Sequence, residues 1–189
     1  MMGKLNQLLD RWANWKTIVI VILIALPFNL YLFPMRSAKL RELSGLTDPI
    51  IDVKFTHTPE QIYPMIKAYG EQGRPLYAVT ELTVDLIYPI LYNLLLCSIL
   101  TIVWRQALLS DDAVHKMQYL PLATCLADYA ENISLAILLV SYPQELTAIA
   151  WAASFFTTAK WVLGGASFIL IVVGLIAWLV KAIAKRQSA

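Results

Sequence analysis

Charge is what this chain has least of. Only 15% of its 189 residues are Asp, Glu, Lys or Arg, where an average soluble domain carries about 25%. Such a chain has little to cover a water-facing surface with, which argues against a soluble enzyme and against a disordered segment. Cysteine is nearly absent. Cys97 and Cys125 both sit inside apolar runs and form no C-x-x-C, so a disulfide-stapled secreted fold and dithiol redox chemistry are excluded. Histidine is just as scarce: His57 and His115 lie outside the apolar runs. A haem held by two intramembrane histidines is therefore excluded, and neither a cofactor nor a metal is expected. The net charge of +2 comes without the clustered basic face that nucleic acid requires, so no nucleic-acid partner is expected.

What the chain has instead is hydrophobic residues, 59% of the total, gathered into runs. A membrane-spanning helix needs about 20 mostly apolar residues. Four stretches qualify: 17–35, 82–104, 119–142 and 146–181. The expected fold class is an all-α integral membrane protein, a four-transmembrane-helix bundle. A small extracytoplasmic helical cap, residues 36–81, would lie between spans one and two. Residues 105–118 would form a cytoplasmic loop and 182–189 a cytoplasmic tail. As a helix the last run would be about 52 Å long against a hydrocarbon core of about 30 Å, so it tilts, kinks at Gly164-Gly165 or protrudes. Gly164-Gly165 reads as a packing device.

Residues 1–16 place Leu5, Leu8, Leu9 and Trp12 at helical spacing, the pattern of an amphipathic segment lying on the membrane. Lys4, Arg11 and Lys16 precede the first run and no A-x-A-like site follows, which reads as an uncleaved signal anchor. Orientation follows Lys and Arg. The termini and the 105–118 loop carry Lys4, Arg11, Lys16, Arg105, Lys116, Lys181, Lys185 and Arg186. The other side carries Arg36, Lys39, Arg41, Lys54, Lys67 and Arg74. The excess places both termini in the cytoplasm.

Within residues 36–81, Thr58-Pro59-Glu60-Gln61 is a helix start with a capping box and proline at the first helical position. That helix should run to about Tyr69 and stop at Gly70. Gly73-Arg74-Pro75 reads as the turn that opens the second long helix. Ile50–Phe55 alternates loosely, as an extended segment or short strand would.

The functional signal is the polar minority inside the runs, because an ionisable group in lipid is expensive. Asp128, Glu131 and Asn132 share one face of span three. Glu81, Asp85, Tyr88 and Tyr92 form a stripe along span two. Ala153, Thr157, Lys160, Gly164, Ser167 and Gly174 form one along span four. Two placements of Lys160 are open. Folded back about Pro143, it reaches the depth of Asp128 and pairs with Asp128 or Glu131; if only residues after it cross, it snorkels at the outer interface beside Asp85.

The ligand-binding candidates are Asp85, Tyr88, Tyr92, Asp128, Glu131, Asn132 and Lys160. Trp104, Trp151, Trp161 and Trp178 read as belt or packing residues, and Cys97 and Cys125 as small core residues. The leading expectation is a multi-pass membrane protein that binds a lipid-like or small apolar ligand at this cluster. The alternatives are a non-catalytic membrane scaffold with the cluster as a structural knot, and an intramembrane isomerase or cyclase using a carboxylic acid. Expected partners are the lipid bilayer, the small apolar ligand, and a second copy or another membrane protein.

Overall fold

The computed structural model describes residues 2–107 and 110–187, with side chains omitted at Met2, Gly3 and Leu5. Among the described residues all regular structure is helical, with no strand. Four helical stretches are long and apolar enough to cross a membrane: Trp15–Ser44, Gly70–Ala107, Asp111–Ser141 and Thr147–Gln187.

Helix α1 (Met2–Trp12) precedes the first of these. Leu9 is buried, whereas Leu8 and Trp12 stay about half exposed; the side chain of Leu5 lies outside the described residues. Asp10 ties α1 down, accepting from Arg105 Nη2 at 2.8 Å and lying 3.0 Å from His115 Nε2. The chain then turns at Asn14, whose side chain caps α2 (Trp15–Pro27) by accepting from the Thr17 N–H at 3.0 Å.

Helix α2 does not end at its proline. A π-helical turn, Phe28–Leu32, carries it into α3 (Phe33–Ser44). Such a turn widens the helix where the regular hydrogen-bond ladder is interrupted; Pro27 and Pro34 flank it, each lacking an N–H. Residues 36–44, expected in the cap, thus continue the first long helix. It stops at Gly45, whose φ of +69° is the left-handed conformation that favours glycine.

The extended segment or short strand expected at Ile50–Phe55 is a loop with a turn closed by Lys54 N–H to Ile51 C=O at 3.1 Å. Among the described residues no neighbouring strand exists to pair with it. Tyrosine hydroxyls serve its backbone instead: Tyr77 Oη accepts from the Ile51 N–H at 2.8 Å, and Tyr69 Oη donates to Pro49 C=O at 2.6 Å. Helix α4 (Pro59–Ala68) begins with the expected capping box, the Gln61 side chain accepting from the Thr58 N–H at 3.0 Å.

Gly70, with φ +66°, turns the chain into α5 (Gly70–Glu81). A break at Leu82-Thr83 separates α5 from α6 (Val84–Ala107). Gly73-Arg74-Pro75 is therefore inside a helix and not a turn. The reversal is already made at Gly70, and Gly73 serves close approach, since a Cβ there would stand 2.9 Å from Tyr69 Cβ. Helix α7 (Asp111–Ser141) starts at Ser110, whose hydroxyl accepts from the Ala113 N–H, with Asp111 and Asp112 facing the positive helix end. After the Tyr142–Pro143 turn, α8 (Thr147–Gln187) runs back along α7.

The cap has no core of its own. Leu40, Ile51, Ile62, Ile66, Tyr69 and Tyr77 pack in one cluster with Leu135, Leu138, Ala150 and Ala153 at the ends of α7 and α8. At the opposite end α6 and α8 are held closely at Gly174. A Cβ there would lie 2.6 Å from Val103 Cγ1 and 2.9 Å from Trp104 Cε2. Gly174→Ala should therefore destabilise the protein by about 1–3 kcal/mol, the usual cost of overpacking. The same change at Gly165, where nothing lies within 4 Å, should not. Melting of the two variants in one detergent checks this, and equal melting temperatures would disprove it.

Candidate functional site

The polar residues of the long helices converge on Lys160. On α7, Asp128, Glu131 and Asn132 are all buried, as one helical face requires. Lys160 reaches them from α8. Its Nζ lies 3.3 Å from Asp128 Oδ1, forms an ion pair with Glu131 Oε2 and stands 3.8 Å from Asp52 Oδ2 in the cap loop. Of the two placements the sequence left open, the structure has the buried pair. Its reach to the cap loop was not expected.

Each carboxylate has a second anchor. Tyr92 Oη donates to Asp128 at 2.9 Å, Tyr77 Oη donates to Asp52 at 2.7 Å, and Thr157 Oγ1 donates to Glu131 at 2.5 Å. Asn132 donates from Nδ2 to the backbone carbonyl of Asp85 at 2.9 Å, tying α7 to the start of α6.

His57 closes the network from the cap side. It is 2% exposed, and its Nε2 lies 3.1 Å from Thr157 Oγ1. The Thr157 hydroxyl also faces the Ala153 carbonyl, at 2.9 Å, and the Nδ1 of His57 is buried without a hydrogen-bond partner. Burial holds this imidazole down, from 6.5 to about 4, and Lys54 and Lys160 push the same way against Asp52.

Beside the cluster lies a cavity of about 940 Å³, within the usual range for small-molecule sites. It runs from the cap loop at Pro49 and Asp52, past Glu81 and Asp85, to Asp128 and Lys160. Leu40, Leu95, Leu96, Phe33 and Phe168 make much of the remaining wall. Comparison with protein-family models, curated proteins and solved structures finds no match. The geometry alone must carry the function.

Of the seven candidates, Asp85, Tyr88, Tyr92, Asp128 and Lys160 line the cavity. Glu131 is fully buried against Lys160, and Asn132 braces Asp85; neither is on the wall. Trp161, read as a belt or packing residue, does line the cavity, and its Nε1 donates to Asp52 C=O at 3.3 Å. Gly164 and Gly165 also line it, and Gly165 has open space before it. Gly165 leaves room for the cavity, Gly164 also packs toward α7, where a Cβ would lie 3.5 Å from Thr124 Cγ2, and the closest approach falls to Gly174. Cys97 and Cys125 are buried free thiols. Among the described residues no His, Cys, Asp and Glu group has metal-binding geometry.

Sequence reasoning missed Asp52, His57 and Thr157 and left Glu81 out of the site. Asp52 carried a signal, a lone carboxylate in Ile50-Ile51-Asp52-Val53. Thr157 carried one too, lying on the Lys160 stripe.

Proposed function

We propose that the chain crosses the membrane four times, with both termini cytoplasmic, and holds a lipid-like or small apolar molecule in the cavity between the cap and Asp128. The cavity carries the reading: about 940 Å³, with a largely apolar wall that includes Phe33, Leu95, Leu96 and Phe168, and a minority of charged groups set along it, among them Asp52, Glu81, Asp85, Asp128 and Lys160. That division suits an amphiphile, whose tail takes the apolar wall and whose head meets the few placed polar groups. The exposed apolar surface supports insertion. Ile20, Leu23, Leu30, Phe168, Ile169 and Leu179 are each more than half exposed, a display that water would penalise. The basic residues of both ends and of the 105–118 loop support the orientation. The first long helix serves in this reading as a signal anchor.

A scaffold with no ligand is the second reading, favoured by the Lys160 knot, which would fix the register of α7 against α8 without any cavity. Gly165→Phe separates the two, because it narrows the cavity that Gly165 lines and leaves the knot intact. Native mass spectrometry of the wild type from mild detergent should show a retained lipid or small apolar adduct. The Gly165→Phe variant should lose most of it, about tenfold or more, at an unchanged melting temperature. A bare wild-type protein, or an adduct equally retained by the variant, would favour the scaffold.

A further inference from the structure

We propose that the ligand of this cavity is an amphiphile whose head carries a primary ammonium, bound by Glu81 and Asp85. The proposal rests on the cavity reading and adds the chemistry of the head group. Glu81 is fully buried at the end of α5, on the cavity border, and neither carboxyl oxygen has a hydrogen-bond partner. A buried carboxyl without partners is costly in either protonation state. Buried polar groups are nearly always paired, so an orphan of this kind asks what completes it.

One turn further, past the Leu82-Thr83 break, Asp85 opens its carboxylate to the same space; only its backbone carbonyl is used, by Asn132. Lys160 forms no ion pair with either of these two acids, although its charge is felt by both. It is committed to Glu131, Asp128 and Asp52. The arginines of the α3 wall do not serve them either: Arg41 Nε donates to Thr47 C=O, and Arg36 Nε is buried without a partner.

The cavity therefore lacks a cation with N–H donors beside Glu81 and Asp85. A primary ammonium supplies three donors and one positive charge. A quaternary ammonium supplies the charge but no donor and would leave the Glu81 oxygens unpaired; a hydroxyl supplies one donor and no charge. The same head chemistry occurs on a free long-chain amine and on a membrane lipid with an ethanolamine head. In the second case the phosphate has a partner in Arg36, which lines the same cavity and whose Nε is unpaired.

The test uses the full chain in nanodiscs of phosphatidylcholine, titrated with hexadecylamine, hexadecanol and palmitic acid, with the shift in melting temperature read as binding. The amine should bind about tenfold or more tighter than the alcohol. Glu81→Gln and Asp85→Asn should each weaken amine binding far more than alcohol binding, bringing the amine close to the alcohol. Two variants are used so that misfolding of one does not remove the test. Amine and alcohol binding alike, or an amine preference untouched by both variants, overturns the head-group proposal and leaves the cavity reading in place. If no amphiphile binds more strongly to the wild type than to Gly165→Phe, the cavity reading itself falls. Mixed discs of phosphatidylethanolamine and phosphatidylcholine then separate the sources. Ethanolamine lipid enriched by native mass spectrometry, and lost in Arg36→Gln, identifies a membrane lipid. Amine binding without that enrichment identifies a free amine. Both of these outcomes support the proposal.

Discussion

Lys160→Met should lower the melting temperature in detergent by about 6–20 °C. The lysine is the shared cation of three carboxylates, Glu131, Asp128 and Asp52. Its own side chain is 13% exposed and that of Glu131 is 0% exposed. Removing one partner of such a buried arrangement leaves uncompensated charge and typically costs about 3–5 kcal/mol. A chain of this length loses about 2–4 °C per kcal/mol, which gives the range stated. Loss of packing is a small part, because methionine keeps most of the lysine stem. The diagnostic is the double variant Lys160→Met with Glu131→Gln, in which the most deeply buried carboxylate is also neutral. It should recover more than half of the loss. A single variant that melts within about 2 °C of the wild type would show that the cluster is solvated in detergent and contributes little. A double variant as weak as the single one would place the cost elsewhere than in the charge of Glu131.

The same cluster shows why part of this molecule could be read from its sequence and part could not. Asp128, Glu131 and Lys160 were legible because each is a charge in an apolar run, and because Lys160 lies about as far after Pro143 as Asp128 lies before it. Local periodicity and one tight turn set that contact. Asp52 was not legible as a partner of Lys160. It sits in a loop whose path is fixed by the hydroxyls of Tyr69 and Tyr77, and neither contact has a short-range signature. The Thr58 helix start was legible because a capping box is local. The extended or strand reading of residues 50–55 failed because alternation does not supply a neighbour to pair with.

The glycines divide in the same way. Gly70 and Gly73 both look like turn residues, and only the backbone distinguishes a positive φ at Gly70 from a close approach at Gly73. Gly164-Gly165 matched the pattern of close helix packing. The same absence of side chain makes the cavity wall, and a pattern of small residues cannot say whether the space it leaves is filled by a helix or left open.

The cap should come loose from the bundle as pH falls from about 6.5 to about 4, and His57 should be the cause. Its Nε2 lies within hydrogen-bond distance of Thr157, whose hydroxyl bonds Glu131, so the imidazole joins the cap to the α7–α8 cluster. In the folded protein burial holds it down to about 4, whereas the exposed side chain titrates near 6.5. A histidine lowered in this way contributes its full stability above about 6.5, where both states are neutral. Below that value the unfolded form takes up a proton that the folded form refuses, and stability declines until about pH 4. A shift of this size corresponds to about 3 kcal/mol, or about 6–12 °C in a chain this long. Carboxylates titrate over part of the same window, so the measurement is the difference between wild type and His57→Gln, each melted at pH 7 and pH 4 in the same detergent. The wild type should lose about 6–12 °C more than the variant over that interval. Equal losses would mean that His57 is solvated or charged in the folded state, and the cap would then be held by the Leu40–Tyr77 apolar cluster without help from this hydrogen-bond chain.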